Sequence, residues 1–146
     1  MQEIHLDDQE SLDRIEAEGF TPWGPPVTFG KDLVRAFLDL TSAPHNSGEP
    51  TQIPGVMLQA MLPKLTPGQG WQITGNNGAV NLGCPSIRFP QPVASSAILR
   101  GRSCLASSRP HARGVIITMG FEVREEGADT PCLQSTMEVL YLRAEA

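Results

Sequence analysis

An α+β fold, one helix buried by an antiparallel sheet, is predicted by three observations. Residues 55–65 are apolar nearly all round, with Gln59 and Lys64 alone breaking the surface. Such a helix must be buried on most sides. From Trp71 onward the chain reads as strands, and the last two, 114–124 and 133–143, are long and alternate. Helices come first and strands follow, which is the order of an α+β domain.

Length and composition bound the rest. At 146 residues the chain is one domain by length, spanning 1–146, with 1–26 as an N-terminal helix and arm. Its net charge is −5 and its basic residues are scattered, so no nucleic-acid partner is expected. No apolar run approaches the thickness of a bilayer, and the first eight residues are acidic rather than signal-like. No membrane partner is therefore expected, and the cytoplasm is the expected compartment. Cys84, Cys104 and Cys132 lie far apart without metal spacing and read as reduced, mostly buried thiols.

The elements follow in order. Asp7 or Asp8 caps a short helix to Gly19, with Leu12 and Ile15 on one face. The prolines among residues 20–29 forbid a central strand before Val27. An extended arm leading into a first strand at 27–29 is expected. Leu33, Val34, Phe37 and Leu40 form the apolar face of a helix over 31–40. It stops because Pro44 disfavours helix at Ala43, and 41–50 is a polar loop. Pro63 bends or ends the apolar helix by removing a backbone hydrogen bond. Strands are expected at 71–74, 79–89, 95–107, 114–124 and 133–143, with a turn at 75–78. Ile117, Met119, Phe121 and Val123 share one face of the fourth of these, and Leu133, Met137, Val139 and Tyr141 one face of the fifth.

Three segments carry a resemblance: Ala36-Phe-Leu-Asp-Leu-Thr-Ser42, Ile53-Pro-Gly-Val-Met-Leu-Gln-Ala-Met-Leu-Pro63, and Val80-Asn-Leu-Gly-Cys-Pro-Ser-Ile-Arg-Phe-Pro-Gln-Pro-Val93. Together they resemble the MaoC-like dehydratase/hydratase family, especially its NodN-like branch, over about the last three quarters of the chain. The resemblance implies a single hotdog domain, in which a central helix is wrapped by a curved antiparallel sheet. It implies a dimer, homo- or hetero-, joined by continuous sheet pairing. It also implies a lyase that adds water to, or removes it from, an acyl thioester of CoA or a carrier protein, without a cofactor. In that family an Asp and a His in one loop handle water and proton, and a backbone N–H at the start of the central helix polarises the thioester carbonyl.

Carried over residue by residue, the match is partial. Gly55 stands at the helix-start glycine, with Val56 beside it and Pro54 in place of the family's His. An ungapped match puts Ala43 at the Asp and Gly48 at the His, so the loop is degenerate. A different register brings His45 into the catalytic region with Asn46 and Glu49 as partners. His45, Asn46 and Glu49 are therefore the catalytic candidates, and Ser42, Gly55, Val56 and Asn81 the substrate-binding ones. An imidazole titrates near neutrality, which makes His45 an acid–base candidate; the alternative is a solvated loop histidine. Glu49 orients His45, acts as a base if partly desolvated, or is a surface residue, and Ser42 and Asn46 hold an oxygen or form turns. Arg88 reads as a surface or interface cation, and Cys84 as a buried thiol. No Walker loop, dinucleotide fingerprint or zinc pattern is present, and no metal is expected.

The altered loop widens the functional reading. Dehydration or hydration stands first. A derived isomerisation or ring closure of an apolar, polyketide-like acyl substrate uses the same carbonyl-activating pocket. The alternative is a non-catalytic hotdog that binds a ligand or supports an intact homologue. A thioesterase is a third reading, for which Glu49 alone offers a carboxylate near the helix start.

Overall fold

The computed structural model describes residues 1–45, 48 and 50–145. The first helix, α1 (Gln9–Glu18), begins where Asp8 accepts bonds from both the hydroxyl and the backbone N–H of Ser11. Those bonds hold the Asp8 carboxyl below its ordinary range, the hydroxyl contributing most. Leu12 and Ile15 are the buried face, as their spacing implies.

A strand the sequence did not announce precedes α1. Residues Gln2–His5 form β1, which pairs in parallel with β3 (Trp71–Thr74). Ile4 is its only buried residue, too little alternation for a pattern to register. β1, β3 and α1 close a second apolar cluster, Ile4, Leu6, Leu12, Ile15 and Ile73, over Leu105, Val115 and Ile117.

The arm reaches β2 (Val27–Thr28) as expected. Along the way the N–H groups of Thr21 and Gly24 donate to Ser103 and Gly101. The Arg102 guanidinium lies 4.5 Å from the Phe20 ring and 4.3 Å from the Trp23 ring, and Arg124 lies 4.3 Å from Trp23. These cation–π contacts hold the arm against the sheet.

Helix α2 spans Gly30–Leu40. Its buried face is Val34 and Leu38 with Phe37 half-buried, whereas Leu33 and Leu40 are exposed, 39% and 85%. The apolar face expected from the sequence is thus rotated by about one position.

The central apolar segment is two helices, α3 (Gly55–Ala60) and α4 (Leu62–Leu65). The break falls at Met61, two residues before Pro63. Pro63 lacks the N–H that would bond the Gln59 carbonyl, while the Met61 N–H still donates to Met57 O at 3.0 Å. Met57, Leu58, Leu62 and Leu65 are buried, but Val56 is 60% exposed and Ala60 and Pro63 are also exposed. The helix is therefore covered on one side, not on most sides.

The wrapping sheet has five strands in the order β2-β5-β6-β7-β4, with every pair antiparallel. The long strands are β4 (Asn76–Arg88), β5 (Ile98–His111), β6 (Gly114–Glu125) and β7 (Leu133–Arg143). β4 starts inside the expected 75–78 turn, which contracts to Gly75. β5 starts three residues later than expected because Ala94 and Ser95 bond back to 51 and 52. β4 is an edge strand with three register shifts, and Pro85 sits at one of them, where a missing N–H costs no ladder bond. Cys84, on this strand, is exposed, contrary to the sequence reading; Cys104 and Cys132 are buried. A helix gripped on one side by a curved antiparallel sheet is the hotdog architecture.

Helix and sheet meet closely at Gly101, where a Cβ would fall inside contact distance of the Leu65 carbonyl oxygen and 3.2 Å from Thr66 Cγ2. Backbone cannot step aside as a side chain can. Gly101→Ala is expected to cost about 1–3 kcal/mol in denaturant unfolding, the range of an overpacked core. A change within about 0.5 kcal/mol, typical of a surface site, would contradict that packing.

Candidate functional site

The end of α2 decides where His45 goes. Ser42 adopts a left-handed φ of 53°. Its N–H donates to Asp39 O at 3.2 Å, and the Ala43 N–H donates to Leu38 O at 3.0 Å. This crossed pair is a Schellman stop, and it reverses the chain at the helix end. Ala43 then packs against the main core. His45 comes back over α2, placing its Nε2 2.9 Å from Asp39 Oδ1. The side chains are 26% and 62% exposed, respectively.

The opposite wall is pinned by main chain. Ile53 N–H donates to Val93 O at 2.8 Å, Ser95 N–H to Thr51 O at 3.0 Å, and Ser95 Oγ to Pro50 O at 2.8 Å. Pro54 enters α3 in an extended conformation, without a side-chain cap. Met57 and Leu58 donate to the Pro54 carbonyl. The N–H groups of Gly55 and Val56 have no acceptor among the described residues. These two are the orphan donors every helix start leaves.

Between the walls lies a cavity of about 660 Å³ lined by His45, Pro54, Gly55, Leu58, Phe89, Gln91 and Cys132, with Leu38 and Val93. Among the described lining residues there is no Asp, Glu, Lys or Arg. Phe89 leans on the helix start: a Cβ at Gly55 would lie 2.9 Å from its ring atoms. Glycine is needed there for close approach of the ring. Cys132 donates its thiol proton to Val123 O at 3.4 Å. Burial pushes its pKa up to about 11, so it is a neutral wall rather than a nucleophile.

The sequence candidates divide. His45 and Gly55 line one cavity. Val56 lines instead an apolar groove of about 470 Å³ with Gln59, Ala60, Phe121 and Met137. Ser42 is exposed in the helix-stop turn, outside the cavity lining. Asn81 stands opposite Val139 on the edge strand, exposed and also outside the lining. Asn46 and Glu49 lie outside the described residues. Asp39, Phe89, Gln91 and Cys132 were not among the sequence candidates.

What can this arrangement do? Orphan N–H donors at a helix start favour an oxygen carrying partial or full negative charge. An imidazole lining the same cavity can exchange a proton with whatever that oxygen belongs to.

No protein-family model matches the chain, and no curated protein does. Several solved structures do. The ChsH1–ChsH2 complex from Mycobacterium tuberculosis matches with a TM-score of 0.68 at 14% identity, over 92% of this chain and 95% of that one. A MaoC-like dehydratase from Rhodospirillum rubrum matches at 0.60 and 16%, over 85% and 91%. An (R)-hydratase from A. caviae involved in PHA biosynthesis matches at 0.58 and 19%, over 80% and 91%. At these identities the likeness shows the shared hotdog fold.

Proposed function

We propose that this chain is a MaoC-like lyase that hydrates or dehydrates an acyl thioester in the cavity between His45 and the start of α3. One observation supports the reading: a titratable ring and the unpaired Gly55 N–H line the same cavity, whose described lining holds no Asp, Glu, Lys or Arg. The names of the similar structures, a hydratase and a MaoC-like dehydratase, support it.

In the hydration direction the substrate carbonyl oxygen sits against the Gly55 N–H. His45 takes one proton from water while the hydroxyl oxygen bonds to the β-carbon. The electron pair of the double bond moves to the enolate oxygen, which the helix start stabilises. The imidazolium then returns its proton to the α-carbon, and dehydration is the reverse. The same enolate serves an isomerisation or ring closure of a polyketide-like acyl chain. The test is a panel of enoyl-CoA thioesters of increasing chain length. Water addition to at least one is the expected result, and none with any member, as CoA or carrier-protein thioester, would remove the hydratase reading.

The second reading is a non-catalytic partner subunit. It is favoured by Ala43, which packs into the core where the family's Asp is expected. It predicts no turnover by the chain alone, and binding to a hotdog chain whose loop is intact.

In both readings the protein is a dimer. β4 leaves one edge of its 13 residues unpaired, with Val80 and Leu82 45% and 47% exposed. Val56, Ala60 and Pro63 are exposed on the central helices as well. Such an edge invites pairing with a second chain. Light scattering is expected to give twice the 15.8 kDa chain mass. Leu82→Lys is expected to shift the population toward monomer, and a monomeric wild type would contradict the proposal.

A further inference from the structure

The outer face of the sheet carries a half-buried arginine without a counter-charge among the described residues. Val123 points into the main core, so Arg124, next along β6, lies on the opposite face. Arg100 stands directly across from it on β5, and two residues along the same face Arg102 stands across from Glu122. Like charges opposite each other are destabilising. The two carboxylates at hand are already taken: Glu126 holds Arg100 at 2.7 Å and Glu122 holds Arg102 at 2.6 Å. Arg124 makes no hydrogen bond or ion pair among the described residues. Its guanidinium carbon lies 4.3 Å from the Trp23 ring, on which Arg102 also stacks at 4.3 Å. Its Nε is buried without an acceptor, while the two terminal nitrogens reach solvent. An unpaired buried donor is costly, and more so on a cation.

We infer that Arg124, braced by Trp23 beside Arg100, is the seat of a phosphate-binding site on the outer face of the sheet. Three guanidiniums and two carboxylates leave this patch positive on a chain of net charge −5. The stacked ring fixes the Arg124 guanidinium in one orientation, so little side-chain freedom is lost when its terminal N–H groups take an anion. A carboxylate gains little at such an open position. A phosphate brings up to two charges and three acceptor oxygens, and a guanidinium fork meets two of them at once. The inference is independent of the reaction proposed for the cavity. Free diphosphate and the CoA moiety of a thioester both carry the group, and experiment separates them.

The test is a titration of the full chain with inorganic diphosphate at constant ionic strength. Proton–nitrogen spectra follow the arginine Nε–H and tryptophan indole N–H signals. Saturable shifts at Arg124 and Trp23 are expected at millimolar concentrations or below, with none from acetate. Arg124→Gln should weaken binding about tenfold or more, the scale of one charged hydrogen bond. Arg124→Lys keeps the charge but loses the fork and the stacked plane, and it should weaken binding as well. Arg113→Gln, in the turn between β5 and β6, should bind like wild type, and melting curves check that each variant is folded. CoA in place of diphosphate separates the sources. Tighter binding than diphosphate at Arg124 assigns the phosphate to the acyl carrier, and equal or weaker binding assigns it to a free phosphate. No saturable shift at Arg124, the same shift with acetate, or an affinity indifferent to both Arg124 substitutions would overturn the inference.

Discussion

His45→Ala is expected to lower kcat by about 10²–10⁴-fold, the contribution of a positioned general acid–base. The fold should survive. The side chain is 26% exposed and its 2.9 Å contact with Asp39 is to an exposed carboxylate. Substrate affinity should change little, because in the proposed mode the Gly55 N–H, not the ring, holds the carbonyl. A steady-state comparison of kcat and KM checks this. Turnover equal to wild type would take His45 out of the chemistry and leave a shape-driven or purely binding pocket.

Leu58→Ala is expected to cost about 2–5 kcal/mol, the range for a buried leucine cut to its Cβ. Leu58 is 2% exposed, belongs to the main core and also lines the cavity. The same substitution therefore loosens the helix–sheet contact and enlarges the site. For a chain of this length the loss corresponds to a melting point lower by about 5–15 °C. A longer or branched acyl chain should gain relative to a short one in the variant, since the added volume opens onto the cavity. A melting point within a degree or two of wild type would show that the site collapses freely around the gap.

The sequence made the architecture legible where patterns were long. β6 and β7 alternate over more than ten residues, and their observed bounds differ from the expected ones by at most one residue. The α1 cap and the β2 arm were readable from Asp8 and from the prolines before Val27. Short or one-sided patterns were not. β1 buries only Ile4, and parallel pairing with β3 over a separation of about 69 residues leaves no local trace. The α2 face was misjudged because Leu33 and Leu40 fit the helical period yet remain exposed. The central helix looked buried all round because composition cannot tell a core-facing apolar residue from one awaiting another chain.

The site was legible in part for the same physical reasons. Gly55 and His45 stood out in the sequence because a helix start and a lone loop histidine carry chemistry in their residue types. Their meeting at one cavity depends on the Ser42 turn and on the 50–53 segment bonding to 93–95, which are tertiary facts. Asn81 looked like a site residue because the strand bearing it resembles the family's. The strand instead forms the sheet edge, where Asn81 is exposed. Asp39 was hidden because it reads as one more polar residue on the solvent side of an amphipathic helix.

The central claim is that the thioester carbonyl rests at the helix start with His45 facing it. A crystal structure with a bound acyl-thioester analogue tests it most directly. The carbonyl oxygen is expected at hydrogen-bonding distance, about 2.7–3.2 Å, from the Gly55 N–H, with the His45 ring beside the acyl carbons or their water. A carbonyl bound away from Gly55, or one with no titratable side chain near the reacting carbons, would contradict it.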